Sequence, residues 1–200
     1  NEKFKEVFSG LKKNVLNKSN VTDYPAAIDI GAASAKFLQL ESSSVGPAIK
    51  KIGISSKNSL SDLINENQIQ GKVSVSIPLS ELQVFSFALP NMPEKEIEQA
   101  VIWKLKQNLP PGSGISSISF DYNWTLYSGD NLNKEILALV FSAPKESITQ
   151  KINTFRGFSL EVAAIEPEPY AVFCALKFAK KIPPGETVLI LSLGGSESSV

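Results

Sequence analysis

Two apolar stretches of this chain run directly into glycine. Pro25–Gly31 ends in Asp29-Ile30-Gly31, and the apolar run Thr187–Leu193 is followed by Gly194, Gly195 and Ser196. In each case small residues come next, so that backbone N–H groups can approach phosphate oxygens with no side chain in the way. The pattern predicts two strands that end in glycine turns. A simple tight turn between strands is the alternative at each place.

The first of these turns carries residues suited to phosphate chemistry. Asp29, at the end of the strand, is a hard oxygen ligand of the kind that holds Mg²⁺ through water. Lys36 follows seven residues later, at the start of the next apolar run, and is long enough to reach back to a β- or γ-phosphate. The sequence therefore predicts a phosphate and metal site here if the turn is more than a connection.

Composition excludes several other kinds of site. The 200 residues carry 20 basic and 20 acidic side chains, so the formal net charge is zero and no dominant cationic field draws nucleic acid. With no His and only one Cys, Cys174, the chain has no His-based zinc site, Cys–His nucleophile or Ser–His–Asp triad. We therefore expect no nucleic-acid partner, and cytosolic residence is the default for a protein with no internal disulfide.

Strand and turn signals give an alternating order of elements. Three early strands (25–31, 35–41 and 48–54) form a meander, followed by a helix that Ser59 and Asp62 cap and by a strand over 72–77. A second block reads strand, helix, strand, strand, helix; its segments are 83–89, a helix capped by Asn91, 115–126, 135–141 and a helix after Pro144 that ends at Gly157. A strand over 160–165 and an unusually apolar helix over 168–181 follow, and we expect that helix to pack on more than one side.

The N-terminal segment has the pattern of a basic amphipathic helix. One helical stripe holds its apolar residues Phe4, Val7, Phe8, Leu11 and Val15, and lysines lie mostly off that stripe. Residues 3–18 are therefore a candidate for peripheral contact with an anionic membrane or for docking on a partner. A tail packed on its own domain, or frayed in solution, is the alternative.

Three segments in order resemble the actin-like ATPase superfamily, which includes actin, Hsp70 and FtsA. Ala27–Lys36 resembles its first phosphate motif in the spacing of Asp, Gly and Lys. Glu168-Pro169-Tyr170-Ala171 looks like the Glu-Pro segment that connects the two lobes, and Leu191–Ser196 occupies the place of the second phosphate motif.

The middle of the chain resembles one family within it, the PilM proteins of type IV pilus assembly. The resemblance is carried by Ser76-Ile77-Pro78, by the segment Ala88–Trp103 and by Leu109-Pro110. The segment Gly157–Val162 looks like the one by which the family's chain returns to its first lobe. It covers about residues 25–200. It implies an α/β fold: an actin-like, ribonuclease H-like first lobe with an inserted α+β subdomain, 1C, of the SHS2 type.

The resemblance also implies a domain division. Residues 1–22 would be the amphipathic segment and linker, 23–79 with 160–182 subdomain 1A, 80–159 the inserted 1C subdomain, and 183–200 the start of the second lobe, 2A. The chain would then be an N-terminal lobe or fragment of a longer protein.

The same resemblance implies ATP and Mg²⁺ as cofactors, bound between two lobes. Asp29 would serve the metal and Glu168 would be the catalytic residue that orients water or metal. The expected nucleotide-binding residues are Asp29, Gly31, Ala32, Ala33, Ser34, Lys36, Gly194, Gly195 and Ser196.

The chain departs from the superfamily pattern at two phosphate positions. Ala32 stands where a hydroxyl commonly contacts the terminal phosphate, and Ser192 stands where the second motif carries an Asp. A serine lacks the anionic oxygen that orders the water shell of Mg²⁺. We therefore expect nucleotide binding by this chain to be weak or absent, and ATP hydrolysis to be slow at most.

Three functions remain open on these grounds. The first is a PilM-like cytoplasmic scaffold, peripheral to the inner membrane, that binds ATP and captures the N-terminal cytoplasmic peptide of a PilN-like inner-membrane protein for the pilus assembly machinery. The second is a nucleotide-free pseudo-ATPase adaptor of a secretion system, like GspL. The third is a metabolite kinase of the same superfamily, which needs a base near the transferred phosphate.

Overall fold

A computed structural model of the chain describes residues 26–44, 46–55, 59–109, 120–127, 135–183, 186, 188–194 and 198–199. The predicted amphipathic segment and linker over 1–22 lie outside the described residues, as do Gly195 and Ser196. In chain order the elements are β1 Ala26–Ile30, β2 Ala35–Ser43, β3 Gly46–Ser55, α1 Leu60–Asn67, β4 Gly71–Ile77, β5 Gln83–Pro90, α2 Glu94–Asn108, β6 Phe120–Tyr127, β7 Glu135–Pro144, α3 Lys145–Arg156, β8 Leu160–Pro167, α4 Glu168–Phe178, β9 Ser192–Leu193 and β10 Ser198–Ser199.

Five strands form a mixed sheet in the order β3-β2-β1-β4-β8. The first three strands pair antiparallel as a meander, whereas β4 and β8 run parallel to β1. Because parallel strands present their carboxyl ends at one edge of a sheet, the glycine turn after β1 and the start of α4 after β8 lie at the same edge. The topology thus brings together the predicted first phosphate motif and the Glu-Pro segment.

One face of this sheet is an apolar core. Side chains alternate along each strand, and those of Ile28, Phe37, Val73, Val75 and Ile77 are all at most 2% exposed. Helix α1 contacts β2 and β3. Its N-cap is Ser59, whose Oγ accepts a hydrogen bond from the backbone N–H of Asp62 at 3.4 Å, as the sequence predicted.

The opposite face is polar at the centre of the sheet and apolar at its free edge. Ile49, Ile52 and Ile54 of the edge strand β3 are 64%, 72% and 69% exposed. They lie opposite Leu40, Leu38 and Lys36 in the register with β2. At the other edge of the sheet α4 contacts β8 and β4. The polar part of the face therefore lies between an exposed apolar edge and this helix.

The span Glu81–Lys151 forms a compact unit of its own. Its three antiparallel strands have the order β5-β7-β6, and α2 places Ile97, Val101 and Leu105 against them with 2%, 0% and 1% exposure. An ion pair of 3.7 Å between Lys151 Nζ and Glu81 Oε1 joins the two ends of the span. The five-stranded sheet belongs to the other unit, which combines the described residues up to Ser80 with those from Ile152 onward.

Some local expectations were wrong. Asn91 does not cap α2: the N-cap is Pro93, which makes no side-chain cap hydrogen bond. Gly157 is not the left-handed residue after α3, since that conformation falls on Ser159 with φ of 61°.

The last two predicted elements also differ. Helix α4 ends at Phe178 and contains no fully buried residue, with Phe173 and Phe178 37% and 69% exposed. Residues 188–193 of the predicted strand 187–193 are described, and among them only Ser192–Leu193 is a strand, which pairs with β10. In the ranges that the structure describes, no helix has both the length and the apolar character needed to span a membrane.

Candidate functional site

Four polar side chains form a row across the centre of the sheet. Lys36 of β2 lies directly opposite Asp29 of β1, and Ser76 of β4 lies directly opposite Glu166 of β8. Ser76 joins the two pairs because its hydroxyl donates a hydrogen bond to Asp29. Neighbouring strands are about 4.8 Å apart, so the row of four extends over roughly 14 Å. The sheet therefore carries one continuous polar row, defined here as the Asp29 row.

Both carboxylate oxygens of Asp29 are engaged. Lys36 Nζ donates to Asp29 Oδ2 at 2.9 Å, and Ser76 Oγ donates to Asp29 Oδ1 at 2.6 Å. The Lys36 side chain is 52% exposed and that of Asp29 is 32% exposed, so solvent reaches the ion pair. The sequence predicted that Asp29 and Lys36 serve one site, and the β1–β2 register places them in contact.

The glycine turn is closed by its own backbone. The N–H of Gly31 donates to the carbonyl oxygen of Ser34 at 2.9 Å. A Cβ atom on Gly31 would lie 3.3 Å from that oxygen, which is why the residue with no side chain fits best. Ala32 and Ala33 are exposed at the tip and Ser34 is half-buried. One N–H of the predicted cradle is thus used inside the turn, while the tip faces solvent.

Glu166 is the member of the row that sequence reasoning passed over. Desolvation by burial raises the pKa of its carboxyl group from 4.5 to about 7. The sequence favoured Glu168 of the same segment, because Pro167 separates the two acids and the family pattern has its Glu-Pro at 168–169. The register of β4 and β8 sets Glu166 opposite Ser76, whereas Glu168 begins α4, and its catalytic role stays a prediction. Ser76 was also missed, because the pairing of β1 with a strand some 45 residues away leaves no local signal.

Helix α4 carries Cys174, whose thiol interacts electrostatically with Glu166. The pKa of the Cys174 thiol is raised, chiefly by burial; the Glu166 charge adds to the rise, whereas a hydrogen bond from Tyr170 and the Lys177 charge oppose it. Cys174 is half-buried, so it resembles a packing residue more than a reactive thiol. The predicted catalytic Glu168 is the first residue of α4 and is half-buried.

The second predicted phosphate turn forms a small hairpin. Ser192 and Leu193 pair antiparallel with Ser199 and Ser198. Ser192 is half-buried and Gly194 is exposed, so this part of the turn is open to solvent. Gly195 and Ser196 lie outside the described residues, and their predicted role stays a prediction.

The donors of the Asp29 row do not suit a divalent cation held by the protein. A hard cation such as Mg²⁺ binds through carboxylates and water, yet the nearest carboxylate already has an ammonium group on one oxygen and a hydroxyl on the other. Ser192 stands where a second carboxylate is expected. Among the residues that the structure describes, no three acidic or cysteine side chains cluster as metal ligands do.

Comparison with solved structures identifies the fold. A chain from a PilM–PilN type IV pilus biogenesis complex matches with a TM-score of 0.72 at 18% identity, and the match covers 88% of this chain and 56% of that one. The cytoplasmic domain of EpsL, an inner membrane component of the type II secretion system of Vibrio cholerae, matches with a TM-score of 0.56 at 14% identity, covering 86% and 65%. No protein-family model matches the chain, and no curated protein does.

These likenesses confirm the mixed α/β fold that the sequence predicted, whereas the SHS2-type insert stays a prediction. The architecture with its five-stranded mixed sheet is similar to that of a chain from the PilM–PilN complex. At 56% and 65%, the chain spans less than two thirds of either solved chain.

Proposed function

We propose that this chain is part of a cytoplasmic scaffold for type IV pilus assembly or a related secretion system, working at the inner membrane. The observation that carries the proposal is the likeness to a PilM chain at a TM-score of 0.72 over 88% of the present chain. The second likeness, to a cytoplasmic domain of a secretion component, belongs to the same class of machinery. Both likenesses are to parts of assembly or secretion machinery, and by this fold-level analogy we favour a scaffold over a metabolic enzyme.

The partner that this proposal implies is a PilN-like inner-membrane protein. The PilM chain was solved in complex with PilN, and we propose that the present protein captures the N-terminal cytoplasmic peptide of such a partner. Residues 3–18, with their basic amphipathic pattern, are the proposed peripheral contact with the membrane.

The unit Glu81–Lys151 is the proposed interaction module. The strand, helix, strand and strand β5, α2, β6 and β7 are followed by helix α3, which is the order predicted for an SHS2-type 1C insert over 80–159. Trp103 of α2 is 57% exposed, with Lys104 Nζ 5.8 Å from its ring centroid. An exposed Trp beside a cation is the residue type most often found to anchor a protein interface, so we propose Trp103 as an anchor in this unit.

The partner proposal is tested by titrating a fluorescently labelled peptide from the cytoplasmic N-terminus of a PilN-like protein. Anisotropy should show saturable binding, and a scrambled peptide of the same composition should not bind. We expect Trp103→Ala to weaken binding by roughly 1–2 kcal/mol, whereas Ile52→Ser, which removes an exposed apolar side chain of the other unit, leaves it unchanged. Equal binding of the scrambled peptide would refute the proposal.

We further propose that the Asp29 row and its glycine turn bind the phosphates of ATP. Lys36 supplies the positive charge, the tip residues Ala32, Ala33 and Ser34 supply backbone N–H groups, and Glu168 is the proposed group that orients water. Mg²⁺ would arrive on the phosphates of the nucleotide. Isothermal titration of ATP–Mg is the direct test, and saturable binding with slow or no turnover is the expected result.

A nucleotide-free adaptor is the second candidate, and one specific observation favours it. Asp29 is engaged at both oxygens and the Gly31 N–H is engaged within the turn. A turn satisfied in this way is stable without a ligand. For the adaptor we expect ATP to bind no better than inorganic phosphate in the same titration.

A further inference from the structure

The Asp29–Lys36 contact has the geometry of a cation bound to a carboxylate. Lys36 Nζ lies 2.9 Å from Asp29 Oδ2, and the antiparallel register of β1 and β2 sets the two residues directly opposite each other. Ser76 holds the other oxygen at 2.6 Å from the neighbouring strand β4. Three strands thus fix both the carboxylate and the direction from which the ammonium group meets it.

The ammonium group of Lys36 retains donors for a second anion. A lysine side chain carries three N–H donors, and one of them is used on Asp29. Since the Lys36 side chain is 52% exposed, its remaining donors are within reach of solvent beside the tip of the glycine turn. An ammonium group in this position can contact the carboxylate and a phosphate oxygen at the same time.

We propose that Lys36 itself takes the bridging place between Asp29 and a bound phosphate that a hydrated divalent cation would otherwise take. The proposal rests on the proposed binding of ATP at this turn, and it concerns how the phosphates are held. It follows that Asp29 binds no divalent metal and that the affinity for ATP does not depend on one. The serine at position 192 supports the same inference, because Ser192 cannot replace the second carboxylate that a divalent metal would need.

The metal half of the inference is tested without nucleotide. The midpoint of thermal unfolding of the chain is measured with and without millimolar MgCl₂ or MnCl₂, for the native chain and for Asp29→Asn. We expect the two proteins to respond alike, because neither holds the metal at residue 29. A metal-induced rise of several degrees in the native chain that Asp29→Asn lacks would overturn the inference.

The phosphate half is tested by titrating ATP in buffer with EDTA and in buffer with Mg²⁺. We expect dissociation constants within about threefold of each other, and a loss of at least about tenfold in both buffers for Lys36→Gln, with Lys36→Arg closer to the native chain. Binding that EDTA weakens about tenfold or more overturns the inference while upholding ATP binding. Failure of ATP to bind in either buffer refutes ATP binding and the phosphate half with it, and the metal titration still decides whether Asp29 holds a divalent ion.

Discussion

Asp29 is held by two hydrogen bonds of different strength. The contact from Ser76 is short, at 2.6 Å, and comes from a half-buried hydroxyl, whereas the contact from Lys36 is an ion pair open to solvent. Charge-assisted O–H···O⁻ bonds of this length are among the stronger ones in proteins, and exposed ion pairs contribute little. The arrangement therefore gives Ser76 the structural role and leaves Lys36 available for a ligand.

This difference predicts unequal effects of two substitutions. We expect Ser76→Ala to lower the free energy of unfolding by about 1–2 kcal/mol, because a hydrogen bond to a charged group is lost. Lys36→Gln, its matched control on the other oxygen, should lower it by less than about 0.5 kcal/mol. Urea unfolding at neutral pH measures both, and a larger effect for Lys36→Gln would contradict the assignment of roles.

Glu166 makes stability depend on pH. Its pKa is raised by burial from 4.5 to about 7, so the folded protein holds a proton there that the unfolded chain releases at lower pH. The stabilisation from this proton is complete below about pH 4.5 and is lost as the pH rises to about 7. Cys174 of α4 is coupled to this carboxyl group, since the Glu166 charge raises the pKa of its thiol.

Glu166→Gln, which keeps the shape without the charge, should remove this dependence. At pH 8 we expect the variant to be more stable than the native chain by about 1–3 kcal/mol, since no ionised carboxylate is buried. At pH 4.5 the two proteins should be equally stable within about 0.5 kcal/mol. The measurement is the difference in unfolding free energy across this pH range, and a difference that does not change with pH would show that Glu166 is not desolvated.

The pair of strands β2 and β3 depends on a glycine. A Cβ atom on Gly53 would clash with Cε1 of Phe37 and lie 3.1 Å from its Cδ1 and Cζ atoms. Phe37 is 2% exposed and belongs to the core of the sheet, so its ring cannot move aside freely. Gly53 is therefore required by close packing, in contrast to Gly71, whose φ of +78° requires glycine for conformation and which has open space around it.

Two alanine substitutions separate these reasons. We expect Gly53→Ala to destabilise the chain by about 1–3 kcal/mol through overpacking. Gly71→Ala should cost roughly 1 kcal/mol through backbone strain alone. Replacing the ring in the double variant Gly53→Ala/Phe37→Leu should recover part of the loss caused by Gly53→Ala. Adding Phe37→Leu to Gly71→Ala should recover none of the loss caused by Gly71→Ala. Absence of such rescue would mean that the Phe37 contact is not the cause.

The helix ends show how far local sequence reasoning reaches. Ser59 caps α1 as predicted, because its hydroxyl and the backbone N–H of Asp62 lie within one turn of each other. At α2 the cap rule failed: Met92 packs against the core of its unit, and Pro93, with φ of −58°, leads directly into the helix. Packing of a residue outside the helix decided its start, and local patterns contain no information on such contacts.

The same limit applies to the candidate site. The sequence predicted Asp29, Gly31 and Lys36 as one group, because a tight turn brings residues seven apart together across a hairpin. It did not predict Ser76 or Glu166, which join the row only through parallel pairing of β1, β4 and β8. Parallel register is set by long crossovers and by the packing of both faces, so neighbouring residues carry no sign of it.

The chain as a whole keeps its fold at low sequence identity because the fold depends on patterns more than on particular residues. At 18% identity the chain from the PilM–PilN complex still matches over 88% of this chain. Alternating apolar residues, glycine turns and crossover order are enough to specify the five-stranded sheet. The predicted phosphate motifs are less tolerant of substitution, since one carboxylate or one N–H decides the chemistry, and there the chain departs from the superfamily pattern at Ala32 and Ser192.

The two compact units should also unfold locally as separate cooperative structures. Leu105 is 1% exposed in the core of the unit Glu81–Lys151, and Val75 is 2% exposed in the core of the five-stranded sheet. Truncating either to alanine removes buried methyl groups and leaves a cavity, which costs about 2–4 kcal/mol for leucine and somewhat less for valine. If each unit has its own cooperative core, each loss should remain in the unit that carries the substitution.

Hydrogen exchange followed by mass spectrometry distinguishes two separate cooperative cores from a single one. In Leu105→Ala we expect amide exchange to quicken in α2, β5 and β7 while β1 and β4 exchange at the native rate, and Val75→Ala should give the reverse pattern. Each variant is the control for the other, because both remove apolar volume from a fully buried position. Equal acceleration in both units from either substitution would show a single cooperative structure, and the unit Glu81–Lys151 would then be an integral part of the fold instead of a module inserted into it.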